Sequence, residues 1–216
     1  MLLSHQKKFL FVHIAKTGGT SVRAALQKYR WRDPYYAPIW IASKLSHIAG
    51  NEVAIKLPRH AKAIAALEML PNDFYASLFK FAFVRNPWDL HVSCFHHISR
   101  ERPYLLPDRA DFSWFLHWSL DPDREHNYYI DSINTPQTDY LIDLKGNLIV
   151  DFIGHYETLQ QDFDECCKRI GVPKITLPHR RKANDRLAYR DYYTPETQAL
   201  VTAAFARDIE ILGYEF

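Results

Sequence analysis

The sequence has little cysteine, little net charge and no long apolar run, and each shortage removes a class of protein. Its 216 residues include three cysteines, Cys94, Cys166 and Cys167. An odd number without regular spacing gives no disulfide framework, and the adjacent pair lacks the spacing of a zinc site. All three read as reduced thiols in a reducing compartment. The formal charge of +2 is too small to argue for nucleic acid or an anionic membrane as a partner. No apolar stretch approaches the ~20 residues of a spanning helix, and the N-terminal residues lack the apolar core of a signal peptide. The expectation is a cytoplasmic protein without a transmembrane segment. The chain also has no G-x-G-x-x-G, no glycine followed by Lys and Ser/Thr, and no H-E-x-x-H. No metal requirement is expected.

What is present is an alternation of buried strands and helices. Phe9 to Ala15 (FLFVHIA) is an almost continuous apolar run, as in a strand covered on both faces. It ends at Lys-Thr-Gly-Gly, and Val22, Ala25, Leu26 and Tyr29 then repeat at helical spacing, with Thr20 or Ser21 as the expected N-cap. Residues 31 to 50 show no period and read as an irregular excursion, a possible substrate loop. Glu52 to Leu57 reads as a short strand, and residues 61 to 70 as a helix closed by Pro71. Phe79 to Val84 (FKFAFV) is a second strand, followed by Asn86 as a cap and Pro87 in the favoured first-turn position. Helices are expected over 111–120, 158–170 and 195–212, and a third strand over Leu148 to Ile153. Thr194 caps the last helix and Gly213 follows it. The pattern predicts one α/β domain over residues 1–216, with a central parallel β-sheet flanked by helices.

Two segments carry chemistry. In Lys16-Thr17-Gly18-Gly19-Thr20-Ser21 a strand runs through two glycines into a helix. Glycines let backbone amides approach an anion, a helix N-terminus offers unpaired donors, and Lys16, Thr20 and Ser21 add a charge and two hydroxyls. The bland alternative is an ordinary tight turn. In the second segment, Phe81 to Phe95 (FAFVRNPWDLHVSCF), Arg85 stands at a strand end and Ser93 lies two helical turns beyond Asn86. Ligands bind outside the carboxyl ends of parallel strands, and an arginine fork suits phosphate. The alternative there is that Arg85 pairs with Asp89 and Ser93 merely packs.

Together, HIAKTGGTS and FVRNPWDLHVSCF resemble the sulfotransferase family, in its carbohydrate (heparan-type) branch. VDFIGHYE (150–157), YYTPE (192–196) and FARDIEILGYEF (205–216) support the resemblance, which runs nearly end to end. The resemblance implies a P-loop, nucleotide-kinase-like fold. It also implies the donor 3′-phosphoadenosine 5′-phosphosulfate (PAPS). Lys16, Thr17, Gly18, Gly19, Thr20 and Ser21 would hold the 5′-phosphosulfate, and Arg85 with Ser93 the 3′-phosphate. The family pattern usually has proline where this chain has Ala15. Its C-terminal donor loop is less distinct here; Arg181 and Lys182 are the candidates, a solvated basic loop being the alternative.

Sulfuryl transfer needs an in-line acceptor, a base for the acceptor proton, and positive charge where the bridging oxygen gains electrons. Lys16 suits the last role. For the base, His60 follows a predicted strand as an active-site loop residue would, and the resembling branch has a histidine at about this point. His13, inside an apolar strand, reads as a core or supporting residue, and His96 and His97 lie on the helix after the second motif. The acceptor implied is a sugar hydroxyl on a glycan, glycolipid or small glycoside. Two rival readings are a magnesium-dependent kinase and a non-catalytic nucleotide-binding protein.

Overall fold

The computed structural model describes residues 1–49, 57–178 and 187–216. The elements in chain order are β1 Leu2–Ser4, β2 Phe9–Val12, α1 Gly19–Trp31, α2 Tyr36–Ala49, α3 Ala63–Met69, α4 Asn72–Ser77, β3 Phe79–Val84 and α5 Pro87–Glu101. They continue as α6 Phe112–Leu120, α7 Tyr128–Asn134, β4 Phe152–His155, α8 Leu159–Arg169, α9 Pro195–Ala204 and α10 Ala206–Leu212. The chain divides into two compact units. One comprises Met1–Ile14, Gly18–Phe83 and Tyr140–Arg180; the other Ala15–Thr17, Val84–Asp139 and Arg181–Phe216.

The first unit is built on a four-stranded sheet in the order β1-β2-β3-β4. β2 and β3 run parallel with Val12 opposite Ala82, so the loops after both strands leave the sheet at the same end. β1, which has no signal in the sequence pattern, adds to the edge antiparallel to β2. All four residues of β2 are fully buried, as expected of a strand covered on both faces. Phe11, Phe81, Phe83, Val22, Leu26 and Phe163 form the centre of this core, each fully buried side chain contributing about 1.5–3 kcal/mol over its exposed state. Lys80 is buried in β3 and reaches the Leu78 carbonyl at 2.8 Å and Asp151 at 2.9 Å.

The second unit is helical. Trp88, Leu90, Phe115, Leu116, Val201 and Phe205 pack its core. Asn86 caps α5 by accepting from the amides of Trp88 and Asp89, and Thr194 caps α9 within a capping box. Asp208 is fully buried and accepts from the Gln137 amide at 2.7 Å, the Thr138 amide at 2.9 Å and the Thr138 hydroxyl at 2.7 Å. Removing it strands three buried donors. Asp208→Ala is therefore expected to lower unfolding stability by at least about 2 kcal/mol, measured by urea denaturation; a change within about 0.5 kcal/mol would contradict this.

Several boundaries differ from the sequence reading, each for a physical reason. Residues 31 to 50 are not irregular: most of the stretch is α2, whose apolar residues are spread around its surface and so leave no stripe to detect. Its Pro38 sits in the first turn, where proline displaces no intrahelical hydrogen bond. The third predicted strand moves toward the C-terminus, to Phe152–His155, while Leu148 makes an isolated bridge with Ile142. The helix predicted over 195–212 breaks at Phe205, which leaves helical geometry as its ring is buried in the core. Neither Thr20 nor Ser21 caps α1: the helix starts at Gly19, and Gly18 occupies the cap in the left-handed conformation with φ 78°. The strand predicted at Glu52 to Leu57 lies, apart from Leu57, outside the described residues.

Candidate functional site

The two chemically marked loops are built within their units by different devices. In the first unit both glycines of the anion loop are sterically required. A β-carbon on Gly18 would lie 2.5 Å from the Leu159 side chain, and φ 78° is costly for other residues. A β-carbon on Gly19 would lie 2.1 Å from the His13 ring. The first turn of α1 starts without a side-chain cap. Thr20 is half-buried. Ser21 is buried and its hydroxyl donates to the Pro178 carbonyl at 2.8 Å, so its proton is committed within the protein.

His60 is brought to the end of β2. Its Nδ1 lies 3.0 Å from the His13 carbonyl oxygen, and the two rings stand 4.6 Å apart at 50°. A carbonyl only accepts, so Nδ1 must carry the hydrogen and Nε2 the lone pair. Arg59 Nε donates to His13 Nδ1 at 3.4 Å, which places the His13 hydrogen on Nε2, the edge that faces Gly19. Burial, then the neighbouring His60 and Arg59, hold the His13 pKa down to about 2. His60 is also shifted below its ordinary value, by burial first and by Arg59, against the opposing pull of its bond to the His13 carbonyl. Both rings are neutral at pH 7.

In the second unit Lys16 has a left-handed backbone with φ 66°, and its carbonyl oxygen accepts from Arg85 Nη1 at 3.1 Å. Lys16 and Arg85 are thus joined by a direct hydrogen bond within this unit. The Lys16 charge is felt as far as Cys94 on α5, where it opposes the burial that pushes this thiol up to about 12. Thr17 is fully buried. Arg85 is 4% exposed and is gripped by Asp89, whose Oδ2 accepts from Nε and Nη2, each at 2.7 Å. The Arg85–Asp89 pair weighed against the phosphate contact is therefore present. Ser93 stands four residues beyond Asp89 on α5, on the same helical face, and is half-buried. Arg181 and Lys182 lie outside the described residues.

Sequence reasoning missed the support beneath Arg85. Gln137 accepts from the Arg85 amide at 2.8 Å and donates to its carbonyl at 2.7 Å, and the Gln137 amide is held by Asp208. A lone Gln and a lone Asp, 71 residues apart, carry no local signal. His96, considered earlier, is bound to the Tyr192 hydroxyl at 2.8 Å.

Comparison with known proteins adds three findings. Residues 1–215 match the Sulfotransferase family. An uncharacterized protein of Archaeoglobus fulgidus is 39% identical over 95 residues, which is 44% of this chain and 68% of that protein. The crystal structure of a sulfotransferase from Alicyclobacillus acidocaldarius aligns over 97% of this chain and 96% of its own with a TM-score of 0.50 at 17% identity, a likeness of fold.

Proposed function

The chain belongs to the sulfotransferase family, and we propose that it moves a sulfuryl group from PAPS to an acceptor hydroxyl on a carbohydrate. The observation that carries this reading is the hydrogen bond from Arg85 to the Lys16 carbonyl. It holds Arg85, the candidate 3′-phosphate ligand, against Lys16, the candidate phosphosulfate ligand, within the second unit. Residues 16 to 21 would hold the phosphosulfate through amides, the Lys16 ammonium and the Thr20 hydroxyl. Arg85, fixed in pose by Asp89, would meet the 3′-phosphate with Ser93; Arg181 and Lys182 stay in this reading as candidate donor contacts.

In the transfer, the acceptor oxygen attacks sulfur and loses its proton to His60 Nε2. The bond from sulfur to the bridging oxygen breaks, and its electron pair leaves on the 5′-phosphate. Lys16 stabilises the charge that grows there, where a fixed cation acts most strongly in the transition state. The neutral, oriented imidazole of His60 fits proton abstraction near pH 7. His13 presents an N–H toward Gly19 and remains a supporting residue.

The reading is tested on the donor first. The protein is expected to bind 3′-phosphoadenosine 5′-phosphate in calorimetry in preference to adenosine 5′-monophosphate. Arg85→Ala should weaken the bis-phosphorylated ligand by about tenfold or more, the loss of a charge-assisted contact of ~1.5–3 kcal/mol. Equal losses for both nucleotides would refute the 3′-phosphate assignment. Transfer of labelled sulfuryl from PAPS to a glycoside panel is expected to survive a chelator. Loss restored by magnesium would favour a kinase instead.

A further inference from the structure

A partly open cavity in the first unit has no part in the steps above. Its volume is about 140 Å³. Leu3 of β1, Tyr36, Ile39 and Trp40 of α2, and Leu57 form much of its wall, and Arg30 lines one side. The Arg30 guanidinium lies 5.2 Å from the Tyr36 ring centroid. The acidic group on the wall, Asp33, is 5% exposed and already saturated. It accepts from the Ser4 hydroxyl at 3.3 Å and from the amides of Gln6 and Tyr35 at 3.1 Å each, and His5 Nδ1 stands 3.3 Å from it. The cavity thus offers apolar and aromatic walls, one cation and no unsatisfied carboxylate.

Size and chemistry select the occupant. Apolar cavities of ~150 Å³ take up a benzene ring, and a guanidinium at the edge of such a space favours a π face. The position is also informative. Leu57 stands three residues before His60, a separation of at most ~10 Å along the chain. Met1, another wall residue, donates from its amino nitrogen to the Pro58 carbonyl at 2.7 Å. The wall therefore runs on into the segment that carries the candidate base.

We propose that this cavity seats an aromatic ring of the acceptor, so that the acceptor is an aryl glycoside whose sugar hydroxyl is presented toward His60. The proposal rests on the sulfotransferase reading for the word acceptor, while ring binding stands by itself.

The test uses the full chain with its five tryptophans labelled at the indole nitrogen, and phenol as the probe. The Trp40 resonance is assigned by its loss in Trp40→Phe. Phenol is expected to shift that resonance saturably, with little change at the other four. Leu3→Phe, which fills part of the cavity, should weaken the response by about tenfold; Ile39→Phe serves the same purpose if the first variant does not fold. An unmoved Trp40, equal shifts at all five indoles, or an undiminished response in a folded filling variant would overturn the proposal. Calorimetry with 3′-phosphoadenosine 5′-phosphate runs in parallel. Phenol binding without nucleotide binding would leave the ring site standing and remove the functional reading. Nucleotide binding with an unmoved Trp40 would do the reverse.

Discussion

His60→Ala is expected to lower kcat by ~10²–10⁴-fold, the range that a general base contributes, while affinity for the donor nucleotide changes little. The separation follows from what His60 touches. Its described partners are the His13 carbonyl and ring, at the end of β2. With Nδ1 committed to that carbonyl, Nε2 is the basic edge, and an acceptor hydroxyl would need to reach only that atom. The substitution leaves a carbonyl without its partner, so folding must be checked by a thermal melt. His60→Gln keeps a donor for the carbonyl but supplies no base. A folded His60→Gln protein with near-normal turnover would sink the assignment.

The pH dependence has a definite sign. Burial and Arg59 lower the His60 pKa, so the base form persists below the ordinary histidine value, and the acid limb of kcat/KM should fall at a pH below about 6.5. An acid limb above that value would point to another base. The same shifts bear on stability. His13 and His60 are neutral in the fold and protonate more readily when unfolded, so the unfolded chain binds more protons as pH drops below about 6.5. Stability from these two rings is whole above that pH and is lost progressively as pH falls toward the folded values.

The two candidate loops were legible because their signals are local. A strand ending in Lys-Thr-Gly-Gly, and another ending in Arg-Asn-Pro, carry the end of a strand, the turn and the start of a helix within a dozen residues, and both appear where the pattern put them. The Asn86 and Thr194 caps were readable for the same reason: each has its side-chain acceptor and its proline at fixed offsets. The start of α1 was misplaced because the capping rule favours hydroxyls. Here the cap is a glycine, and the requirement for it comes from Leu159, about 140 residues away in sequence. α2 had no legible period because its exposed face is apolar too, with Ile41, Leu45 and Ile48 about half exposed or more. The Asp208–Gln137–Arg85 chain was invisible because buried polar pairing is a property of tertiary packing. His60 falls between: its type and place along the chain suggested a base, but only the bond to His13 supplies the tautomer.

Lys16→Ala is expected to differ from His60→Ala by weakening both steps, lowering kcat by ~10²–10³-fold, as loss of a transition-state electrostatic contact does, and loosening the donor. The backbone gives a way to show that this is not misfolding. Lys16 adopts φ 66°, a conformation that costs a side-chain-bearing residue ~1–3 kcal/mol and persists where the surroundings enforce it. Arg85 supplies part of that constraint by donating to the Lys16 carbonyl. Glycine bears this φ without strain. Lys16→Gly should therefore be at least as stable as the parent in a thermal melt while losing transfer to the same extent as Lys16→Ala. A protein that became less stable and inactive together would assign Lys16 a structural part. One that kept its turnover would remove Lys16 from the chemistry. Retained stability with lost transfer would identify the left-handed turn as strain held in place to aim an ammonium at the leaving oxygen.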